Sequence, residues 1–166
     1  QYYGYYSQQQ FKKKSLILTL EGAGDDSSAT ISVANSKKIN EIYRTNDAML
    51  GRLYRYVTLL LGMKPGQHEY KVMGLAPYGQ AYHGMKSLKH FEKFNIIKGT
   101  KIFKKKYFKD VYYSTRNELH GERFDGIAWG LQTFTENFLK KWSINCINKF
   151  KLKNIILSGG VAQNIK

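Results

Sequence analysis

The residues best suited to chemistry in this chain fall in three short places. Glu21-Gly22-Ala23-Gly24-Asp25 sets two carboxylates around two glycines, directly after the apolar run Leu16-Ile17-Leu18-Thr19-Leu20. Ser158-Gly159-Gly160-Val161, with Asn164 just beyond, follows a second apolar run, Ile155-Ile156-Leu157. A glycine loop between a strand and a helix presents backbone N–H groups at the positive end of the helix dipole. With no Cβ in the way, a nucleotide can approach the main chain there. The third place is Lys71, whose ammonium could neutralise charge developing on a phosphate or carbonyl oxygen. Each has a plainer counterpart: a hairpin turn rich in Asp and Gly, a tight strand-to-helix turn, and a surface lysine paired with Glu69.

Lys71 sits in an unusual segment, Glu69-Tyr70-Lys71-Val72-Met73-Gly74-Leu75-Ala76-Pro77-Tyr78-Gly79. Two glycines and a proline interrupt it within six positions. Gly74 and Gly79 permit positive φ or the close approach of another group, and Pro77 biases Ala76 away from helix. The segment reads as an ordered loop with a cation at its base. A helix end followed by a turn would have the same composition.

Periodicity places the elements that must hold these residues. Ser15 to Leu20 reads as a strand. Ala29 to Ala34 and Lys38 to Tyr43 alternate apolar and polar residues, which suggests an antiparallel meander. From Ala48 to Met63 the pattern becomes helical, with Leu50, Leu53, Tyr54, Val57, Leu60 and Leu61 on one face. A short helix from Ala81 to Phe94 is expected next. Ile96 to Tyr113, basic and aromatic, resists assignment beyond a strand or hairpin around Lys101 to Phe103. Asp125 to Phe150 is the clearest helix, with the stripe Ile127, Leu131, Phe134, Phe138, Trp142 and Ile147. Asn154 to Ser158 reads as a buried strand, and Gly159-Gly160 as a tight turn into a further helix. Together these make an α/β arrangement.

The 166 residues suffice for one domain, and no run approaches the ~18 apolar residues of a membrane span. No signal peptide is visible in the tyrosine- and glutamine-rich first 14 residues, a polar lead before the domain at 15–166. Cys146 is the one cysteine, so no internal disulfide can form. Its helical setting suggests a small buried residue, and the usage suits a reducing cytoplasm. The formal charge of +15 raises the question of a nucleic-acid partner. The lysines are scattered over element ends and polar faces, and the abundance of Asn, Ile, Tyr and Lys matches AT-rich codons. Nucleic acid is therefore not the expected partner, although the basic balance favours anionic ligands.

Three segments resemble, in order, the signatures of the O-carbamoyltransferase family, which includes nodulation-factor and antibiotic carbamoyltransferases. Leu18 to Asp25 is similar to its "LTLDGxGD" segment, Glu69 to Gly79 to its EYKVMGLAPYG signature, and Leu157 to Asn164 to its "LAGGVAxN" segment. Weaker matches are Leu50-Gly51-Arg52-Leu53-Tyr54 with Thr58 and Leu61-Gly62, and Asp125 to Ala128 with Gln132 and Glu136. The resemblance runs from about Tyr5 onward. It implies an α/β fold, part of an actin/sugar-kinase/heat-shock-ATPase-like (ribonuclease H-like) domain, with a mixed sheet flanked by helices. It also implies a longer parent protein that transfers a carbamoyl group from carbamoyladenylate to a hydroxyl of a sugar or natural product. The donor would come from ATP and carbamoyl phosphate in a separate domain.

By that resemblance Glu21, Gly22, Gly24, Asp25, Gly159, Gly160, Val161 and Asn164 face the nucleotide, and Lys71 contacts a phosphate or carbamoyl oxygen. Glu21 departs from the usual Asp, which sets its carboxylate about one bond farther out. The family's metal site, with iron the expected divalent ion, uses a His-x-x-x-His motif upstream and a late Asp. Neither occurs in these 166 residues, and His68, His83, His90 and His120 match no zinc or iron spacing. No metal ligand is assigned, and these residues alone are not expected to transfer carbamoyl groups. Two other readings stay open. One is a related ATPase-fold enzyme of tRNA threonylcarbamoylation or hydrogenase maturation. The other is a basic binding module without catalysis.

Overall fold

The computed structural model of the chain describes residues 5–6, 13–22, 26–36 and 38–164. Strands β1 (Ser15–Leu20), β2 (Ala29–Ala34) and β3 (Ile39–Thr45) form the expected antiparallel meander. Helix α1 (Leu50–Leu60) follows, then α2 (Glu69–Leu75), a 3-10 turn at Ala76–Tyr78, and α3 (Ala81–Phe91). A hairpin of β4 (Asn95–Lys98) and β5 (Lys101–Lys104) leads to α4 (Val111–Glu118) and the 27-residue α5 (Phe124–Phe150). The chain returns to the sheet as β6 (Asn154–Ser158) and turns through a 3-10 segment at Gly160–Gln163. The main sheet has the order β3-β2-β1-β6, with β6 parallel to β1. It is a mixed sheet flanked by helices, compatible with part of an actin/sugar-kinase/heat-shock-ATPase-like domain.

β1 lies between β2 and β6 and is apolar on both faces. Leu16, Leu18 and Leu20 join Ile31 in the large core under the helices, while Ile17 turns the other way and packs with Tyr5 and Ala34. This two-faced burial explains why the run is continuous rather than alternating. The α1 face expected from periodicity is buried at Leu50, Leu53, Tyr54, Val57 and Thr58, with Leu61 just past the helix and Leu60 only half covered. On α5 the expected stripe from Ile127 to Trp142 is buried, Cys146 continues it, and Ile147 is half-buried. Trp142 is fully buried, and its Nε1–H donates to the Thr100 carbonyl at 2.9 Å. Burial pushes the Cys146 thiol up to about 12. No helix among the described residues is long and apolar enough to cross a membrane.

Four local expectations need correction. The segment Glu69 to Gly79 is a helix followed by a 3-10 turn, the second of its two readings, and not an ordered loop. Gly74 lies inside α2 and Gly79 has φ −77°, so neither uses positive φ; Gly79 instead allows the close approach of α5, since a Cβ on it would stand 2.3 Å from the Asp125 carbonyl oxygen. Ala76, despite preceding Pro77, is helical at φ −56° and ψ −38°. Packing of this turn against α5 outweighs the local bias, and Pro77 needs no N–H partner at the start of the 3-10 turn. β6 is not a buried strand: Ile155 and Leu157 are exposed. They share the face of Leu16 and Leu18 by register, and the helices over β1 do not extend to them. Helix α4, unassigned from sequence, starts at Asp110, whose carboxylate accepts the Tyr113 N–H at 2.9 Å. The further helix expected after Gly160 falls outside the described residues.

Candidate active site

β1 and β6 run parallel with Thr19 opposite Ser158, so their carboxyl ends reach the same edge of the sheet. In open α/β sheets the crevice outside such ends is where ligands bind. The register carries the two loops forward together, and the Gly160 N–H donates to Glu21 Oε2 at 3.0 Å. Gly159 takes φ +101°, and a Cβ on it would stand 2.3 Å from the Leu20 carbonyl oxygen. The turn therefore requires glycine both for its backbone conformation and for its contact with β1. α1 closes the crevice from the side. A Cβ on Gly51 would stand 2.4 Å from the Gly22 Cα, so helix and loop touch main chain to main chain.

The result is a cleft of about 620 Å³. Its sheet wall is Glu21, Gly22, Gly160, Val161 and Asn164; α1 adds Arg52, Tyr54 and Arg55; the far wall is Gly66, Glu69, Tyr70 and Met73. A hydrogen-bonded network fixes its base. The Tyr54 hydroxyl donates to Gln132 Oε1 at 2.5 Å and accepts from Asn164 Nδ2 at 2.9 Å. Asn164 Nδ2 also reaches Gln132 Oε1 at 3.0 Å, while Gln132 Nε2 donates to Asn164 Oδ1 at 2.9 Å and Glu136 Oε1 at 2.7 Å. Burial pushes the Tyr54 phenol up to about 12, so it remains a donor at neutral pH. The buried amide of Gln132 thus has partners for both ends, as an interior polar group must.

Of the residues expected at the nucleotide, Glu21, Gly22, Gly160, Val161 and Asn164 are brought together, and Gly159 forms the turn behind Gly160. Gly24 and Asp25 lie outside the described residues. Lys71 is not brought to the cleft: it is exposed on α2, with Nζ 5.9 Å from the Tyr70 ring centroid. Its helix does contribute Glu69, Tyr70 and Met73. Glu69 is engaged elsewhere than Lys71, accepting the Gly66 N–H at 2.6 Å.

Sequence reasoning passed over Arg52, Arg55, Tyr54, Gln132 and Glu136 as site residues. All but Arg55 stood inside the quoted motifs without a role. The arginines carried a quieter signal: they are three residues apart on the polar side of an amphipathic helix.

Among the described residues no three His, Cys, Asp or Glu side chains gather as a metal would require. They provide no ligand set for the metal that the resemblance implies. His90 is buried, with Nε2 3.1 Å from Thr115 Oγ1, and burial pushes its pKa down to about 4. Asp125 pairs with Arg123 at 2.8 Å at the start of α5, outside the cleft.

The segments that meet here are those that carried the resemblance, and comparison with known proteins agrees. The sequence profile described as "Carbamoyltransferase N-terminus" matches residues 4–166. The chain belongs to this carbamoyltransferase family. It is 32% identical over 163 residues to the uncharacterized protein MJ1051 of Methanocaldococcus jannaschii, covering 93% of this chain and 31% of that protein. To the uncharacterized protein sll1178 of Synechocystis sp. it is 26% identical, covering 91% of this chain and 27% of that protein. To the nodulation protein NolNO of Sinorhizobium fredii it is 27% identical over 158 residues, covering 92% of this chain and 23% of that protein. The chain thus spans a third or less of these relatives. In this carbamoyltransferase domain the glycine loops and the Tyr54–Gln132–Asn164 network form one continuous structure.

Proposed function

We propose that this domain holds the reacting end of a carbamoyladenylate beside Gly22 and Gly160 and receives a hydroxyl acceptor in the same cleft. The acceptor oxygen attacks the carbamoyl carbon. The bond from that carbon to the AMP phosphate oxygen breaks, AMP leaves with the electron pair, and the hydroxyl proton passes to a carboxylate of the cleft or to water. The observation that carries this reading is the Glu21–Gly160 contact, where two family-like segments meet in a cleft that the third lines. An N–H of the glycine loop already donates to an anion there. A phosphate oxygen in its place would gain the same donor and free Glu21 to face the acceptor proton. Asn164, pinned by Tyr54 and Gln132, would keep its position while the ligand exchanges.

The donor would be made from carbamoyl phosphate and ATP in the longer parent protein, and no step here passes through a metal. The reading is tested by supplying ATP and carbon-labelled carbamoyl phosphate to protein expressed from its complete coding sequence, with a panel of sugars and other hydroxyl compounds. Labelled acceptor and AMP should form in equal amounts, and Glu21→Gln should slow transfer at least about tenfold without lowering the melting temperature. Absence of label on every hydroxyl compound, or a full rate for Glu21→Gln, would refute it.

A further inference from the structure

The charges of the cleft are not balanced against one another. Its two carboxylates are both engaged by backbone amides, Glu21 by Gly160 and Glu69 by Gly66. Its two guanidinium groups, Arg52 and Arg55, form no ion pair among the described residues. Among the described residues Arg52 makes a single hydrogen bond, a long one from Nε to the Gly22 carbonyl at 3.3 Å. Arg44 pairs with Glu41 and Arg123 with Asp125, each at 2.8 Å, whereas Arg116, unpaired among the described residues, stands exposed on α4 away from the cleft. Arg52 is also partly withdrawn from solvent, and among the described residues no carboxylate pairs with it.

The two side chains leave α1 three residues apart and so lie as neighbours on its surface. Arg52 reaches toward the Gly22 side of the cleft. Arg55 reaches toward the opposite side, where its Nη2 would be 3.9 Å from a Cβ on Gly66. Tyr70 and Met73 continue this second side with an aromatic and an apolar surface. Guanidinium forks bind carboxylate and phosphate oxygens in pairs, and do so most strongly where solvent is partly excluded.

From this unpaired arginine couple we infer that the acceptor is itself an anion: a hydroxyl compound bearing a carboxylate or phosphate, such as a sugar acid or sugar phosphate. The inference rests on the reading of the cleft as a transfer site. In this arrangement the acceptor's charged group lies between Arg52 and Arg55, which approach it from the two sides of the cleft, its ring lies toward Tyr70, and its free hydroxyl is left near Gly22 and Gly160. An adenylate phosphate could offer the same oxyanion chemistry, so the test must separate the two sources.

The experiment is calorimetric titration of the protein expressed from its complete coding sequence with glucose, glucuronate, glucose 6-phosphate and AMP. Arg52→Gln, Arg55→Gln and the double variant are titrated alongside, with Arg116→Gln, an exposed arginine on α4, as control. At least one of the two anionic sugars should bind ten times or more tighter than glucose. The double variant should abolish that preference while changing AMP affinity less than twofold, and Arg116→Gln should change neither. Equal binding of neutral and anionic sugars, failure of both anionic sugars to bind, or a double variant that weakens AMP as much as the sugar would overturn it. Because only binding is read, arginine-dependent anion capture without carbamoyl transfer would uphold the inference while removing the proposed activity. Transfer to neutral acceptors alone would do the reverse.

Discussion

Gly160 at the cleft and the glycines of the seam between α3 and α5 are needed for opposite reasons. In the seam, a Cβ on Gly79 would stand 2.3 Å from the Asp125 carbonyl oxygen, one on Gly84 2.2 Å from Trp129 Cε3, and one on Gly130 2.6 Å from Ser87 Cβ. Protein already fills the space that those side chains would take. In the cleft, a Cβ on Gly160 would approach only Glu21 Oε2 among the described residues, at 3.3 Å. A glycine enclosed by its own chain reports packing, whereas one that borders an open cleft leaves room for a ligand. The signature segment straddles the two regions. Gly79 serves the seam, while Glu69, Tyr70 and Met73 face the cleft.

The largest effect is expected in the core around α5. Trp142→Asp would strand a charge where an indole is fully buried and would orphan the Thr100 carbonyl. The loss should be on the order of 5 kcal/mol, enough to unfold a domain of ordinary stability. A melting temperature equal to that of the parent protein would refute the burial.

Next is acid sensitivity at His90. Its folded pKa is lowered from 6.5 to about 4, so between these values the unfolded chain binds a proton that the folded chain does not. The contribution to stability is complete above about pH 6.5 and shrinks as pH falls, by about 3 kcal/mol once below pH 4. Urea midpoints should fall from pH 7 to pH 5, and His90→Asn should flatten that slope. Identical slopes for both proteins would exclude His90 as the cause.

Gly79→Ala should cost about 2 kcal/mol, since its methyl must displace the α5 backbone. Tyr54→Phe should cost about 1 kcal/mol, by removing one donor and one acceptor from a network that keeps its other bonds. If the cleft is the reaction site, Tyr54→Phe should nevertheless slow carbamoyl transfer more than Gly79→Ala does. The reverse order would move the chemistry toward the seam. The smallest structural effect belongs to Lys71→Ala, within about 0.5 kcal/mol for an exposed side chain. A contact of Lys71 with developing charge in the longer protein would show as reduced turnover at unchanged stability; full turnover would leave it a surface lysine.

Much of the fold was legible because hydrophobic period reports burial directly. The meander, α1 and α5 each carry a run or stripe whose apolar residues meet the core. α4 was not legible because Thr115 is its one buried residue, so it shows almost no apolar stripe, and its start is marked only by Asp110. The exposure of Ile155 and Leu157 could not be read either, since strand composition does not say whether a neighbour covers it. In the site, the glycine loops were legible from their spacing after apolar runs. The partners of Asn164 were not, because Tyr54 and Gln132 lie 110 and 32 residues away from it. Arg52 and Arg55 looked like two more cations in a basic chain until the cleft showed that no carboxylate among the described residues answers them.

A crystal structure of the protein with bound AMP tests the central claim most directly. The account predicts the phosphate within hydrogen-bonding distance of the Gly160 N–H, with the Glu21 carboxylate displaced from that amide and turned into the cleft. AMP bound outside the cleft while Glu21 still caps Gly160 would contradict it.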